Sequence, residues 1–259
     1  MILDEVVKRA IKIDIKLKVQ EIFVGYPYTF VIATDLNGNT VMGTALTPIL
    51  EISEHEVWNP PKVLDLDFKD IFRLATSMHM IERTIGLASI NAASQYLLKS
   101  EINKLDIRRD IIEILVNEGV SNVAVVGKMS PIIKKLHEKD FNVIAFERDP
   151  KRRTNNVFSD CLEPRFLPEA EAVVITGAAL LNDTLDIVLS YAKNSKVNVL
   201  IGPTAQQHPH LLENSGLDYV VSCLILDVHK TAALLKITAW REALHPISDK
   251  HVRWYTLKI

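Results

Sequence analysis

The stretch VLIGPTAQQHPHLLENSG, residues 199–216, contains residue types that bind ligands or metal ions. Gly202 permits close approach of a ligand or of backbone, Pro203 stiffens the turn, and the Thr204 hydroxyl can donate to an oxyanion or a heterocycle. His208 and His210 carry imidazoles, which suit zinc, nickel or copper. No nearby residue completes a metal-ligand set, so the spacing favours two exposed loop histidines over a metal site.

A second candidate is the end of the apolar run in VVITGAALLNDTL. Thr176 and Gly177 end the run, and Asn182 follows at the start of a predicted helix. A hydroxyl, a glycine and an amide at one strand end can form the wall of a small-ligand site. Asn182 can equally cap the helix, because an Asn side chain accepts from free backbone N–H groups there. Both interpretations remain open.

A third candidate is VVGKMSPIIKKL, in which Gly127 ends an apolar run and Ser130-Pro131 marks a helix start. The free N–H groups of a helix start attract anions, but the glycine-rich dinucleotide fingerprint is absent. Glu147 ends the next apolar run, twenty positions after Gly127. A carboxylate there accepts hydrogen bonds from ribose hydroxyls in nucleotide-binding sheets. The alternative is a surface acid that opens the charged turn ERDPKRR.

Strands that alternate with helices position these three candidate sites. From about residue 104 onward, short apolar strands alternate with helices, and the chain closes with VRWYTLKI, which is predicted to be an edge strand. This pattern predicts an α/β, Rossmann-like doubly wound domain with a mainly parallel sheet covered on both faces. Ligands bind such sheets outside the carboxyl ends of the strands.

The first 103 residues read as a smaller α+β domain. We predict a helix over roughly Leu3 to Gln20 and a hairpin centred on Asn37-Gly38-Asn39. Two further helices follow, about Phe68 to Met78 and about Glu82 to Leu98. We place the domain boundary near residue 103, giving domains 1–103 and 104–259.

Composition excludes several classes of protein. Thirty basic and 32 acidic residues are scattered along 259 positions, so there is no electrostatic case for nucleic acid or an anionic membrane. No apolar run is long enough to span a bilayer, and the acidic residues and missing apolar segment at the start predict that these residues are not a signal peptide. The two cysteines, Cys161 and Cys223, are expected to be buried, and their scarcity favours a cytoplasmic location.

Three segments together resemble the family of putative heavy-metal chelation proteins: TIGLASINAAS (84–94), ITGAALLNDTL (175–185) and LIGPTAQQHPHLLENSGLDYV (200–220). The resemblance covers essentially the whole chain. It implies a small enolase-N-like domain followed by a Rossmann-like domain, with a site between them. Asn91 would face that site from the first domain, although it could equally be a satisfied core amide. The resemblance implies these partners from the second domain: Thr176, Gly177, Asn182, Gly202, Pro203 and Thr204.

Three functions follow from these observations. The leading one is binding or processing of a small heterocyclic or nucleotide-like molecule at an interdomain site, linked to heavy-metal chelation. Gly127 and Glu147 instead suggest an S-adenosylmethionine-dependent methyltransferase-like enzyme, and His208 and His210 a direct metal-binding protein. We expect a small-molecule partner and neither nucleic acid nor membrane. The sequence leaves open the cofactor, enzymatic activity, a homo-oligomer and a purely structural role.

Overall fold

The computed structural model describes residues 1–52, 63–101, 110–154, 156–245 and 250–259. Within these ranges the amino-terminal part contains a three-stranded antiparallel sheet in the order β1-β2-β3. Its strands are β1 (Leu17–Phe23), β2 (Tyr28–Asp35) and β3 (Thr40–Leu46). The predicted hairpin is confirmed, because β2 and β3 flank Gly38, which has a φ of 85°.

Helices that accompany this sheet include α1 (Ile2–Lys12), α2 (Phe68–Ile71) and α3 (Met80–Glu101). Helix α3 has 22 residues, and its buried residues run without interruption from Arg83 to Gln95. A helix buried on all sides cannot be amphipathic, which explains its mixture of small and apolar residues. It packs against β2 and β3 on one side and approaches the second sheet on the other.

The second sheet has seven strands in the order β10-β9-β8-β7-β4-β5-β6, and β10 alone is antiparallel. The strands are β4 (Asn122–Val126), β5 (Asn142–Glu147), β6 (Val157–Ser159), β7 (Ala172–Thr176), β8 (Val197–Ile201), β9 (Tyr219–Ile225) and β10 (Val252–Lys258). The prediction of an α/β fold with a mainly parallel sheet is therefore confirmed, as is the edge position of β10.

The helices that connect these strands are short. In chain order they are α4 (Ile111–Asn117), α5 (Ser130–His137), α6 (Glu163–Phe166), α7 (Ala178–Leu181), α8 (Leu185–Tyr191), α9 (Val228–Lys236) and α10 (Trp240–Leu244). Asp110 caps α4 by accepting from the N–H of Ile112 at 3.0 Å, and Asp227 caps α9 by accepting from Lys230 at 2.9 Å. Such caps satisfy backbone donors that a helix start leaves free.

Several sequence predictions were wrong in detail. The first helix ends at Lys12, and Gln20 lies in β1, where polar and apolar residues alternate as an exposed antiparallel strand requires. The alternation of strands and helices predicts a helix near residues 209–214, but Pro209–Leu212 form a 3-10 turn. The alternation also predicts one helix over about Val228 to Leu244, but it is interrupted at Thr238, whose φ is 60°. Cys161 is exposed, and Cys223 is buried as predicted.

The largest hydrophobic core crosses both parts of the chain. It joins Leu3 and Val6 of α1, and Ile90 of α3, to Ile175 of β7 and Leu200 of β8. The predicted boundary near residue 103 lies outside the described residues. The shared core means that the two parts stabilise one another by burying apolar surface between them.

Gly43 sets the distance between β3 and helix α3. A Cβ at this position would lie 2.1 Å from both the Ala88 carbonyl oxygen and the Ala92 nitrogen, which are backbone atoms. We expect Gly43→Ala to lower the free energy of unfolding by about 3 kcal/mol, because the helix must shift away from the sheet.

Gly38→Ala, in the same hairpin, is the matched control, since a Cβ there meets nothing within 4 Å. It should cost roughly 1 kcal/mol, the strain of a positive φ. Chemical denaturation of both variants checks the prediction. Equal losses of stability would contradict the close contact between β3 and α3.

Candidate functional site at the strand ends

The order of the large sheet reverses direction beside β4. Strands β5 and β6 lie on one side of β4, and β7, β8 and β9 lie on the other. At such a reversal the loops at the carboxyl ends diverge and leave a crevice, where ligands bind in open α/β sheets. Gly127 and Thr176 meet at this point, because a Cβ on Gly127 would lie 2.8 Å from the Thr176 methyl carbon.

Glu147 ends β5 beside this crevice and is only 7% exposed. Its carboxylate accepts from the backbone N–H of Lys128 at 3.3 Å and from that of Asp149 at 3.1 Å. Arg152 also pairs with it at 3.3 Å, through a side chain that is more than half exposed. An exposed arginine can move aside, so a ligand hydroxyl can take its place on the carboxylate.

An apolar groove begins at the same place. It has a volume of about 540 Å³ and lies between α5 and strands β5 and β6. Lys128, whose N–H binds Glu147, lies at its rim, and Ile133, Val143 and Ala145 form part of its lining. Lys128 therefore connects the groove to the Glu147 carboxylate, and the apolar part of the groove can accommodate a ring.

Arg148 forms an ionic cluster with Glu51 and Asp160 on the other side of the crevice. Its Nη1 atom donates to Glu51 at 2.8 Å, and its Nε atom donates to Asp160 at 3.2 Å. With the Asn182 amide oriented to donate to Thr184 and Ala178, its oxygen accepts from Arg148 at 3.2 Å. Asn182, which follows α7, therefore faces Arg148. The Glu51 carboxylate reaches Arg148 from the amino-terminal part of the chain.

Glu163 lies on α6 near this ionic cluster and is only 8% exposed. Burial, together with the negative charge of Asp160, raises the pKa of the Glu163 carboxyl to about 7, against the opposing effect of Arg148. The carboxyl makes no hydrogen bond or ion pair with any other described residue. A buried carboxyl that holds its proton near neutral pH is typical of functional sites.

The raised pKa of Glu163 predicts a specific dependence of stability on pH. As pH rises from 4.5 to about 7, the unfolded chain loses this proton before the folded protein does. The free energy of unfolding should therefore fall across this window and receive no further change from Glu163 above it. Glu163→Gln should flatten this part of the profile in urea denaturation, whereas the exposed control Glu169→Gln should leave it unchanged. Identical profiles for all three proteins would contradict the prediction.

The turn Gly202-Pro203-Thr204 binds the amino-terminal part of the protein. The Thr204 hydroxyl accepts from the N–H of Leu46 at 3.0 Å, and the Pro203 carbonyl accepts from the Thr44 hydroxyl at 3.0 Å. Gly202 has a φ of 119°, a conformation that favours glycine. These groups already have protein partners, so the turn contributes structure, and its role in ligand binding stays a prediction.

Asn91 is a satisfied core amide, the second of its two sequence interpretations. It is fully buried on α3, and its Nδ2 atom donates to the carbonyl of Thr44 at 2.7 Å and to that of Thr204 at 2.9 Å. Its oxygen accepts from the side chain of Gln207. Gly177 packs in the same region, since a Cβ there would lie 2.6 Å from the nitrogen of Ala205.

Two more buried amides extend this contact between the two parts. Gln206 accepts from the N–H of Thr44 at 2.8 Å and donates to the Cys223 carbonyl at 3.1 Å. Gln95 donates to the same carbonyl at 3.1 Å and accepts from the N–H of Ile225 at 2.8 Å. Each amide binds backbone on a neighbouring element, which fixes the position of α3 against β3 and β9.

The two histidines of the opening motif each pair with a glutamate. His208 Nε2 lies 3.3 Å from Glu101, and its Nδ1 atom accepts from the N–H of His210 at 3.3 Å. His210 Nδ1 lies 3.0 Å from Glu213. Among the described residues, no group of three or more His, Cys, Asp or Glu side chains is arranged to hold a metal ion. Metal binding by His208 and His210 stays a prediction.

Comparison with known proteins shows the family. Residues 8–94 and residues 110–252 match two family models, and each model has the description "putative heavy-metal chelation". The chain belongs to this family. A relative from Methanocaldococcus jannaschii, an uncharacterized protein, is 36% identical over 267 residues, covering 100% of this chain and 98% of its own. The family resemblance inferred from the sequence is therefore confirmed.

Two solved structures of family members with unknown function share the fold. One, from Pyrococcus horikoshii, superposes with a TM-score of 0.85 at 27% identity and covers 100% of both chains. The other, from Desulfitobacterium hafniense, has a TM-score of 0.76 at 21% identity and covers 99% of this chain and 98% of its own.

Among the described residues of this chain, no helix is long and apolar enough to cross a membrane.

Sequence reasoning missed the ionic cluster of the crevice. Arg148 and Asp160 are separated by twelve positions, and Glu51 lies on the other part of the chain. The one signal in the sequence was that Arg148 directly follows the strand-end residue Glu147. Glu163 gave no signal, because its burial depends on how α6 packs.

Proposed function

We propose that this protein binds or processes a small heterocyclic or nucleotide-like molecule in the crevice at the carboxyl ends of β4, β5 and β7. One observation carries the proposal: a buried carboxylate, Glu147, ends β5 next to the reversal of strand order and accepts from the N–H of Lys128, which lines a groove of about 540 Å³. A polar anchor beside an apolar wall is the usual composition of a small-molecule site.

Different residues at the strand ends can bind different parts of the ligand. Glu147 can accept from ligand hydroxyls while Lys128 holds it in place through a backbone N–H. The groove takes an apolar ring, and Thr176 and Gly127 form the floor between the two strands. The opposite rim carries Arg148 and Asn182, which can bind polar substituents. The family description supports a ligand that is linked to heavy-metal chelation.

Glu171 provides a matched control for testing Glu147. Glu171 also accepts from two backbone N–H groups, those of Ser121 and Asn122, and also pairs with a basic side chain, that of Lys196. It lies at the opposite end of the same sheet. Glu147→Gln and Glu171→Gln therefore remove equivalent charges, and only the first removes one from the crevice.

We expect Glu147→Gln to weaken binding of a nucleoside probe at least about tenfold, because a hydrogen bond to a charged group is lost. Isothermal titration calorimetry with adenosine, S-adenosylmethionine and S-adenosylhomocysteine measures this, and Glu171→Gln should bind as the unmodified protein does. Equal affinities in both variants would move the site elsewhere. No binding of the last two probes at millimolar concentration would exclude the methyltransferase alternative.

The direct-metal alternative has its own test. If His208 and His210 bind a metal ion, the double variant His208→Ala, His210→Ala should lose the zinc, nickel or copper that the unmodified protein retains. Elemental analysis of both proteins after identical purification measures this. Equal metal content would rule out these histidines as the ligands.

A further inference from the structure

The carboxyl of Glu163 is the ionisable group of the crevice that lacks a partner. The residue is more than nine-tenths buried, and its carboxyl makes no hydrogen bond or ion pair with the described residues. It lies close enough to Asp160 and Arg148 for both charges to act on it. An ionised carboxyl in a largely buried residue loses much of its hydration, so a partner of opposite charge would stabilise it.

The charges around Glu163 define what that partner must be. Arg148 pairs with Glu51 at 2.8 Å and with Asp160 at 3.2 Å, and Arg153 lies 3.6 Å from Asp160. Two guanidinium groups thus face three carboxyl groups, and Glu163 is the unmatched one. A ligand that brings a positive charge would complete the cluster, whereas an anion would compete with Glu51 and Asp160 for Arg148.

We propose that Glu163, supported by Asp160, is a subsite for a cationic nitrogen group of the ligand, such as an amidinium, an aminoheterocycle protonated on its ring, or an ammonium group. A carboxylate accepts two parallel N–H donors from an amidine edge, which gives a strong and directional charge-assisted contact. The proposal rests on the proposed function and deepens it, because it assigns the ligand a charged nitrogen group beside the Arg148–Asp160 pair of the crevice.

The surroundings of the subsite fit such a ligand. Phe158 and Leu162 flank Asp160 along the chain, and their side chains are 40% and 37% exposed. They offer apolar surface beside the carboxyl groups for the carbon skeleton that carries the nitrogen. Asn182, held at 3.2 Å from Arg148, brings an amide from the other side. The charged groups that act on Glu163 are Asp160, from its own turn, and Arg148, from the end of β5.

Binding of a cation must be linked to the proton on Glu163. The carboxyl has a pKa of about 7, so it is largely protonated at acid pH, and a cation binds only after the proton leaves. Affinity for a cation should therefore rise with pH and level off above the pKa. Below about pH 7, binding should release a proton, which calorimetry detects from buffers with different ionisation enthalpies.

Benzamidine and benzamide form a matched pair of probes, because they have nearly the same shape and only the first is charged. We expect benzamidine to bind the unmodified protein at about pH 8 and to bind at least about tenfold more weakly at about pH 5.5, since its carboxylate partner is then protonated. Benzamide should not bind at either pH. Glu163→Gln should lose the benzamidine affinity, and Glu169→Gln should retain it.

Several outcomes would overturn the subsite. They are equal binding of benzamidine and benzamide, equal binding to Glu163→Gln and the unmodified protein, or binding without proton release near pH 6.5. Proton release is measured on the unmodified protein, so this test does not require that a variant folds. Glu163-dependent binding of Zn²⁺ or Ni²⁺ in the absence of benzamidine binding would instead assign these carboxylates to a metal. The nucleoside titrations of Glu147→Gln are independent, so either proposal can fail alone.

Discussion

Replacing Arg83 with methionine is expected to lower the free energy of unfolding by about 4 kcal/mol, because it breaks a buried ion pair between the two parts of the chain. The Arg83 side chain is 8% exposed and pairs with Asp183. It also donates to the carbonyl of Ser77 at 2.8 Å and to that of Leu181 at 3.3 Å. Methionine keeps the length of the side chain but leaves these acceptors without their donor.

The control for Arg83 is an exposed pair in the same part of the protein. Arg73 lies 3.6 Å from Asp70, and the two side chains are 65% and 53% exposed. Arg73→Met should change stability by less than about 0.5 kcal/mol, as is usual for exposed pairs. Urea denaturation compares the two variants. Equal effects would show that the Arg83 pair does not hold the two parts together.

Arg83 also holds a segment that contributes to the crevice. Its two contacts on Leu181 and Asp183 lie on either side of Asn182, which faces Arg148. Releasing this segment should therefore weaken the binding of crevice probes as well as the stability of the protein. Arg83→Lys, which keeps the charge, should recover part of the stability.

Asn91→Ala is expected to cost about 4 kcal/mol, because it leaves three buried polar groups without their partner. These groups are the carbonyls of Thr44 and Thr204 and the side chain of Gln207. Asn194→Ala is the control, since this exposed amide makes one hydrogen bond, to the Pro168 carbonyl at 3.1 Å. It should change stability by about 1 kcal/mol or less.

A double-mutant cycle of Asn91→Ala and Gln207→Ala refines the prediction. The two side chains bind each other, so the loss of stability in the double variant should differ from the sum of the two single losses by about 1 kcal/mol or more. Normal stability of Asn91→Ala, together with loss of binding of a crevice probe, would contradict the structural role. That result would favour the other sequence interpretation, in which Asn91 binds the ligand.

The sequence by itself determined the family, the fold class and the positions of the strand ends. Apolar strands of five to seven residues that alternate with helices have few alternative arrangements, because their buried backbone must pair within a covered parallel sheet. For the same reason the alternation of strands and helices was enough to assign Gly127, Glu147 and Thr176 to one edge of the sheet. Local turn residues likewise predicted the hairpin at Gly38.

Only the tertiary structure decided what the polar residues of the motifs bind. A glycine, a threonine or an asparagine has the same local pattern whether its partner is a ligand or distant backbone. The partners of Asn91 and Gln206 lie 17 to 162 positions away, so no local pattern specifies them. The same holds for Arg148 and Glu163, because burial and the field of neighbouring charges arise only when distant elements pack together.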